Sequence, residues 1–202
     1  MKRTARAALK NREPLAAALD ELLPERGIVL ELGSGTGEHV VFLARRFPGL
    51  TWQPSDPDPE ARVSIAAWAA ELPRPNLLAP LDYDIRLPLW QRRPVDALLC
   101  VNVLHVSPWP VAEALFAGAG RALVPGGPLA LYGPFAPRDA PLAGRLARLD
   151  RELRAVDPAL GVRVIESLDE AALRAGLRRE AAIAMPEEGD VLVVYRRAKS
   201  AE

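Results

Sequence analysis

One cysteine and two histidines in 202 residues leave almost nothing from which to build a disulfide framework or a thiolate zinc site, and no metal is expected. Cys100 lies in the apolar run VDALLCV, where a lone thiol serves as a small buried hydrophobe. Long apolar runs are also missing. None approaches the ~20 residues of a membrane-spanning helix, so no membrane partner is expected. Net charge is absent as well, with 26 basic and 26 acidic residues, which gives no overall electrostatic footprint for nucleic acid. No internal repeat or long linker divides the chain, and a single domain over residues 1–202 is expected. The opening MKRTARAALKNR is basic and free of acids, as a transit peptide can be. It reads better as an N-terminal segment, residues 1–13, that is frayed or lies over a ligand, in a cytoplasmic protein.

What remains is an alternation of strand and helix patterns. Helices are expected over Pro14–Leu23, Glu38–Phe47, Pro59–Glu71, Trp109–Leu123, Arg138–Val156 and Leu168–Ala175. In the third of these, Val63, Ile65, Ala66 and Trp68 are expected to supply the apolar face. Strands are expected over Gly27–Leu32, Leu50–Ser55, Asn76–Leu81, Val95–Val101 and Pro128–Tyr132, with an irregular stretch around Asp82–Trp90. Arg179–Met185 and Val191–Arg196, joined by PEEGD, read as a terminal hairpin. Such alternation builds an α/β fold, a mostly parallel sheet with helices on both faces.

Residues 28–39, IVLELGSGTGEH, carry the most chemistry. A buried strand runs into Gly33, Gly35 and Gly37 around Ser34 and Thr36, so bare backbone faces a ligand at the strand's carboxyl end. The GxGxG spacing differs from the GxGxxG that sets a dinucleotide pyrophosphate on a helix N-terminus. Glu31, two residues before the first glycine, would repel a pyrophosphate and attract a cation.

The pattern resembles motif I of class I S-adenosylmethionine-dependent methyltransferases, whose cofactor carries an ammonium and a sulfonium. The resemblance implies a Rossmann-like, seven-stranded sheet of order 3-2-1-4-5-7-6, with the last strand antiparallel. It implies Asp56 on the ribose hydroxyls, with Asp58 as the alternative, and either aspartate can instead cap the following helix. In LDYDI it implies Asp84 and the Ile85 amide at the adenine, with Asp82 as the alternative. It also places Asn102 beside the cofactor's amino acid end.

The strings NREP, SGTGEH, LTWQPSDPDPEARVSIAAW, VNVLHVSPWPVAEALFAGAGRAL, LYGPF and DPALGVR are similar to one uncharacterised methyltransferase-like family, domain of unknown function 938. This likeness runs from about Lys10 to Arg197 and adds Asn11 to the cofactor side. The chain departs from that family's pattern at Lys10, at Leu142, Arg145 and Leu146, at Leu160, and at Glu187–Glu188. The implied activity is S-adenosylmethionine-dependent methyl transfer, and the resemblance leaves the acceptor open. Because VNVLH lacks the NPPY-type motif of nucleobase methyltransferases and net charge is zero, a small molecule is expected as acceptor, with a protein second and not nucleic acid. A non-catalytic cofactor-binding module is one alternative, and a nicotinamide-dependent oxidoreductase is a weaker one. His105 is the candidate base, or it packs with Trp109 to order its loop. His39 is expected to shape the pocket at a helix N-terminus. Tyr132 belongs to the core or lines the acceptor site, and Trp90 and Trp109 cover an acceptor or fill the sheet's edge.

Overall fold

The structure, a computed structural model, describes residues 1–87 and 94–199. Trp90 and the end of the expected irregular stretch lie outside these residues. The elements in chain order are α1 Arg6–Leu19, β1 Gly27–Leu32, α2 Glu38–Arg46, β2 Leu50–Asp56, α3 Pro59–Glu71, β3 Leu81–Asp82, β4 Ala97–Val101, α4 Trp109–Ala122, β5 Pro128–Ala136, α5 Gly144–Val156, β6 Arg163–Val164, α6 Ile165–Arg174, β7 Leu177–Ala184 and β8 Asp190–Arg197. A short 3-10 turn, Leu104–Val106, follows β4.

The main sheet runs β3-β2-β1-β4-β5-β8-β7, and β6 pairs with β5 alone. β8 is antiparallel to both of its neighbours, and the strands from β3 to β5 are parallel. Leaving aside β6, a two-residue strand absent from the expected pattern, this is the seven-strand order that the resemblance implies. Parallel strands buried on both faces send alternate residues to opposite cores. In β4, Leu98 and Cys100 pack toward α4 and α6, whereas Ala97, Leu99 and Val101 pack toward α1 and α2. β1 is flanked by β2 on one side and β4 on the other, so the chain reverses direction across the sheet beside it. The crevice at the carboxyl ends of β1 and β4 is therefore the topological switch point.

Several expected boundaries move. α1 begins at Arg6, not Pro14, and its buried residues Ala8, Asn11, Leu15, Ala16 and Leu19 recur with helical period. Pro14 sits inside the helix, where it withholds an N–H from the Lys10 carbonyl without ending the run. The third strand shrinks to Leu81–Asp82, because Leu77 meets Trp52 only in an isolated bridge. β5 runs on through Phe135 and Ala136, which delays α5 to Gly144. α3 keeps its expected bounds and part of its expected face. Ile65 is buried and Trp68 packs half-buried against the core, whereas Val63 is 54% exposed, Ala66 is exposed, and Ala61 and Ser64 are buried instead.

α4 and α6 pack closely where Gly120 meets the end of α6. A Cβ on Gly120 would lie 2.2 Å from the Ala175 carbonyl oxygen. Helix propensity alone predicts that Gly120→Ala stabilises by about 1 kcal/mol. The clash with fixed backbone reverses that sign, and urea denaturation is expected to show a loss of roughly 2 kcal/mol. A raised midpoint would refute this packing.

Candidate functional site

A cavity of about 540 Å³ opens at the switch point. β1 delivers Glu31 and the loop Gly33–Thr36, β2 delivers Asp56, the turn after β3 delivers Asp84 and Ile85, and the end of β4 delivers Asn102. Each of these strand ends brings at least one expected residue. His39 also lines the cavity, from the first turn of α2.

The loop has the backbone that glycine permits. Gly33, Gly35 and Gly37 have φ of 68°, 55° and 92°, in the left-handed region. Their surroundings differ. A Cβ on Gly33 would strike the Val103 side chain at 2.6 Å, and one on Gly37 would lie 2.7 Å from the Ile65 Cα. A Cβ on Gly35 would meet nothing nearer than the Gly33 carbonyl at 4.0 Å, so that position faces open space. Gly37 thus serves close packing of α2 on α3 and does not line the cavity.

Asp56 fastens this loop. Its Oδ2 accepts from the Gly35 amide at 2.8 Å and its Oδ1 from the Asp58 amide at 2.9 Å. Each oxygen keeps acceptor capacity for another donor. Asp58 stands outside the cavity, where it caps α3 through the Glu60 amide and pairs with Arg3. Asp82 is likewise turned to Arg62, at 3.0 Å. Asp84 lines the cavity and accepts from Arg86, from both its amide and its guanidinium. Asn102, the non-glycine residue with positive φ (58°) among the described residues, is held there by its amide on the Tyr132 carbonyl at 2.9 Å. Strain of this kind persists only where the surroundings over-determine it.

Glu31 is the electrostatic anomaly. It is 1% exposed, and its Oε2 has no hydrogen-bond partner. Burial pushes its pKa up to about 7, the Ser34 hydroxyl opposes the rise, and the Asp56 charge adds to it. A carboxylate kept this dry and unpaired is a site for a cation.

The two histidines part company. His39 is driven down to about 4, by burial first and by Arg12 second, so the ring is neutral. Its Nε2 meets Asn11 Oδ1 at 2.7 Å, and Asn11 stands behind it without lining the cavity. His105 is also buried and held near 4, by burial above all, and its Nδ1 has no partner. It does not line the cavity. Its ring lies under β5, with Nδ1 3.5 Å from where a Gly133 Cβ would sit, and its carbonyl takes the Gly161 amide. The expectation of a base at the mouth of β4 is not met, because the 3-10 turn folds the imidazole inward. Trp109 packs against the core. Tyr132 is core as well, its hydroxyl donated to Asp190 at 2.8 Å.

Residues 1–13, expected to be frayed or to lie over a ligand, contribute to the cavity, and two further contributors, Trp68 and Arg163, had no expected role at the site. Arg3 and Ala5 form a strap over the cavity, and Ala7 and Ala8 of α1 continue it. The Arg3 amide donates to Ser64 Oγ at 2.8 Å, and the Ala5 amide to Glu38 Oε2 at 2.5 Å. Ser64 and Glu38 also hold Thr36, so strap and glycine loop share anchors. Trp68, half-buried against the core, donates its indole N–H to the Arg3 carbonyl, with the Lys2 ammonium over its ring. Arg163, in the string DPALGVR, donates to the carbonyls of Leu104, Ser107 and Ala159 and so shapes the loop after β4. The helical spacing from Ala8 onward could have revealed the strap's helix. Nothing local marks Arg163.

The profile of the family described as "Protein of unknown function (DUF938)" matches residues 2–197. A tRNA (guanine-N(7)-)-methyltransferase of Chelativorans sp. (strain BNC1) is 35% identical over 100 residues, which cover 48% of this chain and 42% of that protein. Among solved structures, the mitomycin 7-O-methyltransferase MmcR superposes with a TM-score of 0.82 at 19% identity, over 95% of this chain and 54% of that one. Human N-acetylserotonin methyltransferase, solved in complex with SAM, gives 0.74 at 16%, over 94% and 52%. The chain thus spans about half the length of the proteins it matches. The likeness establishes the methyltransferase fold, and the tRNA enzyme leaves the expected exclusion of nucleic acid without support. No helix among the described residues is long and apolar enough to cross a membrane.

Glu31 has a measurable signature. Between about pH 4.5 and about 7 the folded chain retains a proton that the unfolded chain has lost, so ionising Glu31 removes stability as pH rises. Both histidines act oppositely between about pH 4 and 6.5, but they are common to wild type and variant. The stability of Glu31→Gln minus wild type is therefore expected to grow from near zero at pH 4 to about 3 kcal/mol above pH 7. Urea denaturation across that range checks it, and a flat difference would refute the buried, unpaired carboxylate.

Proposed function

The chain belongs to the DUF938 family, and from that membership we propose that it is an S-adenosylmethionine-dependent methyltransferase acting on a small molecule. The observation that carries the reading is Glu31, a buried carboxylate with an unpartnered oxygen in the wall of a cavity whose floor is open glycine backbone. That pairing suits a ligand carrying a positive charge beside a flat, polar body. A nicotinamide dinucleotide would set its pyrophosphate at the same loop, against this carboxylate, and so fits poorly.

Each lining residue then has a role. Asp56, anchored by two amides yet with lone pairs to spare, would accept from two vicinal ribose hydroxyls. Glu31 would face the ammonium, and Gly33, Ser34, Gly35 and Thr36 would let the backbone approach. Ile85 and Asp84 would bound the adenine, with Arg86 yielding part of its hold on Asp84. Asn102 would present its backbone to the amino acid end, while His39 and, behind it, Asn11 and Gly37 would keep the wall in shape. When bound, the cofactor supplies a methyl group already activated by its sulfonium. The chain's contribution is orientation and exclusion of water under the strap, because His105 lies outside the cavity and His39, its pKa lowered to about 4, is a weak base. The reading includes turnover. A cofactor-binding module without turnover is what remains if methyl transfer fails.

Two measurements test this. Gly35→Val should cost only about 1–2 kcal/mol of stability, since its Cβ clashes with nothing. It should weaken S-adenosylhomocysteine binding by at least ~100-fold in calorimetry; unchanged affinity would move the pocket elsewhere. At pH 6, wild type should release about one proton as S-adenosylmethionine binds, because a cation lowers the Glu31 pKa. Calorimetry in buffers of different ionisation enthalpy should show this release vanish in Glu31→Gln. Incubation with labelled cofactor, a metabolite extract and, separately, total tRNA then identifies the acceptor class.

A further inference from the structure

A second cavity, of about 320 Å³, adjoins the first across α1, and Ala7 lines both. Its walls are charged and it has no aromatic lining. α1 contributes Arg6, Lys10 and Asn11, α5 contributes Arg145, the turn joining β7 to β8 contributes Glu187, and β8 begins with Asp190. Lys10, Arg145 and Glu187 are three of the positions at which the chain departs from its family's pattern, and they meet here.

The charges do not cancel. Asp190 is buried and satisfied twice, by the Tyr132 hydroxyl at 2.8 Å and by Arg145 at 2.9 Å. Glu187 is held loosely, 3.6 Å from Arg145 and 3.7 Å from Lys10. The Arg6 guanidinium has no hydrogen bond or ion pair among the described residues. Two carboxylates thus face three cations, one free and one weakly engaged, and an incoming anion could draw Lys10 from Glu187 at little cost. The floor is rigid by comparison. His39 Nε2 meets Asn11 Oδ1 at 2.7 Å, and the Tyr132 hydroxyl donates to Asp190 at 2.8 Å. The first of these bonds joins a residue lining the first cavity to one lining the second.

We propose that the second cavity is an anion-binding subsite, in which Arg6 and Lys10 hold a carboxylate or phosphate group of the methyl acceptor while the rest of that molecule reaches past Ala7 toward the first cavity. The word acceptor rests on the methyltransferase reading, whereas the anion site stands on this geometry alone. Without an aromatic wall, the subsite selects a polar group and not a flat ring.

The test uses the full, ¹⁵N-labelled chain at constant ionic strength, titrated separately with inorganic phosphate and with acetate, with and without S-adenosylhomocysteine. Saturable amide shifts are expected at residues 6–11 and 187–190, with affinity reduced at least ~10-fold in the Arg6→Glu, Lys10→Glu double variant. Both side chains are exposed, so the variant should keep its fold, which its S-adenosylhomocysteine affinity checks. Saturation by phosphate alone identifies a phosphate ester, and saturation by acetate alone a carboxylic acid. No saturable shift with either anion, or shifts that survive both substitutions, would overturn the subsite. Anion binding by a chain that does not bind S-adenosylhomocysteine would leave the subsite standing and overturn the methyltransferase reading instead.

Discussion

The Asp56 carboxylate holds the site together. By accepting the Gly35 amide across the gap between β1 and β2, it fixes a loop whose three glycines would otherwise sample many conformations. The neighbouring Ser34 amide on the Ser55 carbonyl, at 2.9 Å, closes the same gap in neutral form. With the loop fixed, Gly37 can press α2 onto α3, Thr36 can reach Ser64 and Glu38, and the strap finds the anchors it shares with the loop. Displacing that one carboxylate would loosen the strap, the loop and the start of α2 together.

The fold was legible where local chemistry and tertiary packing agree. α2 and α3 start where glycine ends a strand and where Asp58 precedes Pro59, signals that packing does not override. α1 was misread because proline at a first turn is a strong local cue, whereas before Pro14 the buried periodicity is carried only by Ala8 and Asn11. The outward face of α3 was misread because its apolar residues serve two masters. Ile65 enters the core, while Trp68 receives the strap, which no window confined to the helix contains.

Site residues followed the same division. Those brought by strand ends, Glu31, Asp56, Asp84 and Asn102, were legible because topology alone carries them to one edge. His105 was not, because the direction of a side chain after a strand depends on a 3-10 turn and on Arg163, a residue 58 positions onward. The strap was expected only as a segment, residues 1–13, that is frayed or lies over a ligand. The second cavity was invisible, because its residues are far apart in the chain and meet only through α1.

That separation has a kinetic side. The second cavity takes one wall from residues 6–11 and another from residues 187–190, so no growing chain can form it until the β7–β8 hairpin has left the ribosome. The lining of the first cavity ends at Val111, in the first turn of α4. During synthesis the glycine loop and its carboxylates can therefore assemble well before the charged cavity beside them is closed. Long-range contacts of this kind form late and slowly. α1, which emerges before the strands, would wait beside the sheet with one side docked and the other still open to water.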